Sequence, residues 1–417
     1  MFRSLSGRIF IGLFLGLLIG SLIQYTLDSV PLFQEACIQL ADGIGLMFIH
    51  AIMLMVIPLV FFSIVTGVLE LNDLSSFGRL GGKTFLAYLI NTVIAISLAA
   101  FVAYMIEPGA GLALQGKFPS AGDTQKQLPD IFKLIVDIVP SNPVQALLSG
   151  NMLQIIFMAI MTGVVVKMLG EQTAGAARFF QVGNLIMMKM ITLVMDFAPL
   201  GVCALMIKLG ATLDVDIFWN LLLYVMLILL LLFFWLSILY PYAVSLFTEI
   251  KPLDFRKAIQ EQFLFALSTA SSNATIPVTM RTLTEKLGVS RSVSGFGVPL
   301  GATMNMGGVS IYITIATLFV ANAYGASITA DQLPTLLLNI FLLAVGSGGV
   351  PGGGLIMIGI LIQQLGLPLE AFALIAAVDR IIDMVVTSVN VVGDTAVVTI
   401  VDRLEKKSQA SAAETIS

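Results

Sequence analysis

The chain has 417 residues, of which 58% are hydrophobic and only 11% charged, with a mean hydropathy of +1.00. A soluble chain carries roughly 25% charge to solvate its surface, so this composition excludes a water-soluble enzyme, and its apolar content excludes intrinsic disorder. Net charge is −4 with no basic block to meet nucleic acid, and Cys37, Cys203 and the single histidine, His50, supply neither a disulfide framework nor a zinc site. What remains is an all-α polytopic protein whose solvent is the lipid bilayer.

A helix needs about 20 mostly apolar residues to cross the hydrocarbon. In chain order, the runs 9–27, 43–69, 84–106, 131–168, 173–207, 217–247, 295–323 and 371–401 predict eight crossings. No small-residue cleavage site follows Leu27, so the first run reads as a span and not as a removable signal. The fourth is interrupted at Pro140-Ser141-Asn142-Pro143 and Gly150-Asn151, which predicts short helical pieces before a full crossing. Runs 255–287 and 333–365 carry Ser/Asn-rich or Gly-rich centres and predict helical hairpins that enter the membrane and turn back. The polar, small-residue tail at 405–417 reads as disordered. His50 reads as an interhelical hydrogen-bonding residue and Lys189 as a snorkelling one.

With both termini on one side, this topology sorts the basic residues. Fifteen of the 21 fall on that side, among them Arg3, Arg8, Lys83, Arg281, Lys286, Arg403 and Lys406. Lys117, Lys126, Lys133 and Lys208 fall on the other, while Lys189 and Arg380 lie within spans. The excess of positive charge places both termini in the cytoplasm, at the plasma (inner) membrane.

Broken backbone at membrane depth is tolerated only where protein buries it or it lines a cavity. The second half offers four such places: Ser271 to Thr275, Asn305 to Gly308, Gly346 to Gly354, and the polar stretch of the last span. They recur as hairpin then span, twice, which is the layout of an inverted repeat with a midplane site. Six glycines and a proline within 346–354 predict a tip that moves or meets a ligand through its backbone.

The last span is the most informative. At 100° per residue, Asp379, Asp383, Asn390 and Asp394 lie within about 60° of one another. Each intramembrane carboxylate costs roughly 2.5–3.5 kcal/mol, so three on one stripe need compensating positive charge. Arg380 can serve Asp383 or Asp379. Asp394, about 20 Å along the helix, needs another cation.

These residues resemble the dicarboxylate/amino acid:cation symporters, the glutamate-transporter-homologue family. The likeness runs through nearly the whole chain: Pro108-Gly109-Ala110-Gly111, the segment Asp137 to Pro143, the serine-rich first tip, Asn305-Met306, Gly349-Val350-Pro351-Gly352, and Asn390 to Asp394. It implies eight transmembrane helices plus two re-entrant hairpins, a homotrimer, and an elevator mechanism. In that scheme residues 1–82 are scaffold, 83–107 belong to the transport domain, 108–250 are mainly scaffold with 217–247 joining the transport domain, and 251–404 complete it.

The resemblance further implies that Asp383 holds a substrate ammonium and Asn390 its α-carboxylate, with Ser271, Ser272, Val350 and Gly354 enclosing it and Met306, Val309, Val386 and Thr387 lining the pocket. For sodium it implies one site at Asp394 with Gly301, Asn305 and Asn390. A second is implied at Thr303 and Met306 with carbonyls of Ala344, Val345 and Ser347, and a third at Tyr88, Asn91 and Thr92 with Asn305. Sodium is a hard cation and wants such oxygen ligands. Two or three sodium ions are implied; coupling to a proton stays open, because carboxylates in low dielectric can titrate near neutral pH.

Three departures stand out. Gly307 and Val309 replace the aspartate and threonine common in the family, and Val386 stands where acidic-substrate members carry an arginine. A side-chain carboxylate against Val386 and Val309 would be a buried unpaired charge. The sequence therefore predicts sodium-coupled symport of a neutral amino acid of serine, threonine or alanine type, with fewer or weaker cation sites. The alternative is an acidic amino acid or C4-dicarboxylate with Arg380 taking the arginine's role. An intramembrane aspartyl protease is disfavoured, because the seventh span has no aspartate to oppose the last. A pore is the remaining rival; gradient-driven accumulation separates it from a symporter.

Overall fold

The computed structural model describes residues 5–26, 31–70, 81–112, 136, 138–149, 152–212, 215–326, 328, 332–347, 349, 352–367 and 369–416. Among these the secondary structure is helical, and six helical stretches are long and apolar enough to cross a membrane: Pro31–Ala51, Gly82–Ile106, Gln154–Val194, Trp219–Phe247, Val293–Ala323 and Val378–Lys407.

One group of helices comprises α1 (Leu5–Thr26), α2 (Pro31–Glu70), α5 (Met152–Leu169), α6 (Ala174–Asp196) and α7 (Ala198–Thr212), with the short α4 (Pro143–Ser149) leading into α5. Glycines set its spacing. Ideal Cβ atoms at Gly12, Gly16 and Gly20 of α1 would lie 2.4, 2.4 and 2.3 Å from the carbonyl oxygens of Pro199, Cys203 and Ile207 on α7. Small residues one turn apart let two backbones meet at a distance that any side chain would forbid.

The second group surrounds α16 (Leu369–Ile416). It contains α3 (Gly82–Ile106), α8 (Val215–Phe234), α9 (Tyr240–Phe247), α10 (Pro252–Thr269), α11 (Ser272–Arg281), α12 (Arg291–Met304), α13 (Gly307–Ala323), α14 (Leu333–Gly346) and α15 (Gly353–Gln364). A single π-helical turn, Trp235–Leu239, joins α8 to α9 just before Pro241, whose missing N–H a regular ladder would leave unmatched. Helices α13 and α16 are the centre: every residue of 307–321 and of 385–399 is buried.

Several expectations change. The stretch 173–207 is two helices, with an exposed Phe197 at the corner. The last span is not broken: α16 is helical through Asn390, Gly393 and Asp394. Its glycine serves close approach instead, since a Cβ at Gly393 would stand 2.5 Å from the Tyr240 hydroxyl and 2.8 Å from Asn305 Nδ2. The tail expected to be disordered continues α16 to Ile416. His50 points outward from α2 and is exposed, so it does not bridge helices within the chain. Asp137, Lys117, Lys126, Lys133, Gly348, Val350 and Pro351 lie outside the described residues.

Ion pairs tie the ends of the second group together. Lys83 at the start of α3 meets Glu405 at 2.6 Å, Lys406 meets Asp402 at 2.6 Å, and Arg403 pairs with Glu249. Arg281 and Lys286 both engage Glu261. All five basic residues belong to the set that the sequence places on one side.

Candidate substrate and cation site

Three interruptions converge on α16. The first is the turn between α10 and α11. Ala270 adopts φ 48°, an uncommon left-handed conformation for a residue with a Cβ, and Ser271 then caps α11 by accepting from the Ala274 N–H at 3.3 Å. The second is Asn305-Met306, both outside helical geometry, which separates α12 from α13. The third lies between α14 and α15, where Gly352 has φ 77°.

The two tips touch. Ser271 Oγ donates to the Gly349 carbonyl at 3.2 Å, and the Asn273 N–H to the same oxygen at 3.4 Å. A Cβ at Gly349 would lie 2.4 Å from the Ala302 carbonyl, so only glycine seats this tip against α12. Gly354 is less tightly placed, an ideal Cβ there lying 2.9 Å from the ring of Tyr312.

Beneath the tips, Asp383 is buried and its Oδ2 accepts from the Gly352 N–H at 3.1 Å. The Arg380 guanidinium, also buried, lies 3.5 Å from the same oxygen. One turn further out, Asp379 Oδ1 accepts from the Tyr312 hydroxyl at 2.8 Å. Toward the other end, the Gly308 N–H donates to Asn390 Oδ1 at 2.8 Å, and Asn390 Nδ2 approaches Met306 Sδ at 3.5 Å. Val309, Val386 and Thr387 are buried around this segment, and a Cβ at Gly308 would clash with the Val386 carbonyl at 2.7 Å.

Asp394 is buried, and among the described residues no basic side chain pairs with it. Asn305 Nδ2 donates to its Oδ1 at 2.8 Å and lies 3.3 Å from the Asn390 carbonyl. Gly301 brings the backbone of α12 against it: a Cβ there would stand 2.4 Å from Asp394 Oδ1. This arrangement fixes the neighbouring amides. A carboxylate only accepts, so Asn305 turns Nδ2 to Asp394 and Oδ1 to Asn91, which answers with Nδ2 at 2.8 Å. Asn91 Nδ2 also reaches the Tyr240 hydroxyl at 3.2 Å.

Gly301, Asn305, Asn390 and Asp394 are thus brought together. Tyr88 is adjacent, but its hydroxyl donates to the Gly297 carbonyl at 2.8 Å, and the Thr92 hydroxyl is buried without a hydrogen-bond partner among the described residues. Thr303 Oγ1 bonds to Leu300 O at 2.9 Å and Ser347 Oγ to Ala344 O at 2.8 Å, each within its own helix end. Val345 follows Ala344 near the end of α14.

Sequence reading missed Tyr312, Tyr240 and Gln262. Gln262 is fully buried on α10 and donates to the Val391 carbonyl at 2.9 Å, holding the first hairpin to α16. A glutamine in an apolar arm was the available signal. An apolar cavity of about 370 Å³, lined by Met47, Phe48, Leu193 and Phe197 among others, lies in the first group of helices and offers no polar group to orient a ligand.

Long apolar helices broken at buried, hydrogen-bonding backbone around carboxylates define the class, a multi-pass membrane transporter. A model of the sodium:dicarboxylate symporter family matches residues 5–404. The chain belongs to that family. It is 32% identical over 407 residues to the proton/sodium-glutamate symport protein of Bacillus caldotenax, covering 96% of this chain and 94% of that one. To the proton/glutamate-aspartate symporter of Escherichia coli K12 it is 31% identical over 414 residues, covering 97% and 93%. To the C4-dicarboxylate transport protein of Bacillus subtilis it is 31% identical over 381 residues, covering 87% of each.

Proposed function

We propose that this protein is a cation-coupled symporter of an acidic amino acid. The observation that carries the reading is the buried Asp383, held by the Gly352 N–H of one tip beneath a second tip that touches the first, with Arg380 beside it. Asp383 receives the substrate ammonium. Asn390 and the backbone at the start of α11, a helix N-terminus beside Ser272, receive the α-carboxylate. Arg380 is the cation within reach of a side-chain carboxylate, and relatives named for glutamate and aspartate support that class. This reverses the preference for a neutral substrate drawn from Val386.

Sodium binds at Asp394, where a buried carboxylate lacks a basic partner, with carbonyls of Gly301, Asn305 and Asn390 around it. The second cation set is Thr303 and Met306 with the end of α14. The third set is weaker: Asn305 Oδ1 is taken by Asn91, Gly307 adds no carboxylate, and the Thr92 hydroxyl is the oxygen left without a partner among the described residues. We therefore expect two sodium ions, not three. The two helix groups correspond to scaffold and transport domain, moving as an elevator within a homotrimer at the plasma membrane, with both termini cytoplasmic.

A neutral substrate is the second reading, favoured by the buried apolar surface of Val386 and Val309. Competition against sodium-driven uptake in proteoliposomes decides. L-glutamate or L-aspartate blocking uptake at lower concentration than L-serine, L-alanine or L-threonine supports the acidic reading; the reverse order replaces it with the neutral one.

A further inference from the structure

Asp379 is the buried carboxylate that neither the substrate set nor the sodium set uses. It is 5% exposed. The titratable and charged groups facing it are Tyr312 of α13, Tyr224 of α8, and Arg380 and Asp383 of α16 itself. Tyr224 packs its ring 4.7 Å from Phe319, so this side of the pocket is otherwise aromatic and apolar.

Charge accounting makes Asp379 conspicuous. Among the described residues two carboxylates share one guanidinium, which leaves the cluster with one uncompensated negative charge. A zwitterionic substrate does not alter that charge, and an acidic one adds to it. Carrying it through the hydrocarbon is costly, so a cation has to join the cluster. A metal ion needs several oxygen ligands. Asp379 has one side-chain hydroxyl hydrogen-bonded to it among the described residues, and no group of three or more His, Cys, Asp or Glu side chains gathers there. A proton needs a single lone pair, and Oδ2 of Asp379 supplies it while Oδ1 accepts from Tyr312. Tyr312 in turn lies directly against Gly354, at the tip between α14 and α15, so the pair borders the proposed substrate site.

We propose that Asp379, hydrogen-bonded to Tyr312, is a proton-binding site that loads and unloads once per transport cycle, distinct from the sodium carboxylate Asp394 and the amino-binding carboxylate Asp383. An O–H bond forms at Oδ2 with a proton from water on one side of the membrane and breaks to water on the other. The proposal rests on the symport reading and names one of its coupling ions.

The test uses full-length protein in proteoliposomes holding a pH-sensitive dye, with an inward sodium gradient and either L-glutamate or L-serine outside. Wild type is expected to acidify the lumen in step with uptake, and uptake is expected to fall as external pH rises. Asp379→Asn, which mimics the protonated group, is expected to keep sodium-driven uptake while losing acidification and at least tenfold of the pH response. Tyr312→Phe removes the hydroxyl that favours the ionised form and is expected to move the midpoint of the pH profile upward by about one pH unit. Acidification by Asp379→Asn equal to wild type, or an unmoved midpoint in Tyr312→Phe, overturns the proposal. Sodium-driven uptake by wild type without acidification overturns it while leaving symport intact; no uptake at all sinks both.

Discussion

Asp379, Asp383 and Asp394 on α16 are each answered by a different kind of group, and that difference sorts their proposed roles. Asp383 has a backbone N–H and a guanidinium, whereas Asp394 has a carboxamide and no basic partner among the described residues. A buried carboxylate with only a neutral donor is costly until a cation arrives. Asp394→Asn removes that demand, and the sodium concentration for half-maximal uptake is expected to rise at least tenfold; an unchanged value would place sodium elsewhere. Asp383→Asn loses a charge-assisted contact worth about 1.5–3 kcal/mol, so substrate Kd measured by calorimetry is expected to rise roughly 10- to 100-fold. Asn91 and Asn305 illustrate a subtler constraint, because the carboxylate orients one amide and that amide orients the next.

At the scale of elements, glycine is used for contact more than for bending. Gly16 meets the Cys203 carbonyl across the α1–α7 seam, so Gly16→Leu forces these helices apart and is expected to lower Tm by several degrees. Gln262→Leu removes the buried amide that bonds the Val391 carbonyl and the Thr279 and Thr395 hydroxyls and is expected to destabilise by about 1–3 kcal/mol, read as lost resistance to thermal aggregation. The interruptions at 270–271 and 305–306 were legible because serine, asparagine and glycine cluster beside them and break apolar periodicity. The continuity of α16 was not. Its polar residues are satisfied by the Gly308 N–H and by Asn305 from other helices, and Gly393 admits Tyr240, contacts that no local pattern encodes. The partner of Asp379 was equally hidden, since Tyr312 looks like one more apolar-face residue until α13 is laid against α16.

For the whole molecule, the carboxylate stripe on the last span was readable from spacing alone, and family membership follows from a match over residues 5–404. What spacing cannot supply is occupancy: which oxygen is already spent on a protein donor and which is left for an ion. Beneath the two touching tips, the groups proposed for substrate and for cation are joined through Asn390, whose amide meets Gly308 while its carbonyl faces Asn305. Coupling between sites joined in this way is reciprocal, and a cation that neutralises Asp394 is expected to raise substrate affinity by the factor by which substrate raises its own. The most direct measurement is the thermal shift of purified protein on adding L-glutamate or L-serine, with sodium present and with sodium replaced by choline. A rise in Tm with at least one substrate that requires sodium, and that vanishes in Asp394→Asn, is predicted; a shift of equal size in choline would contradict a shared chamber.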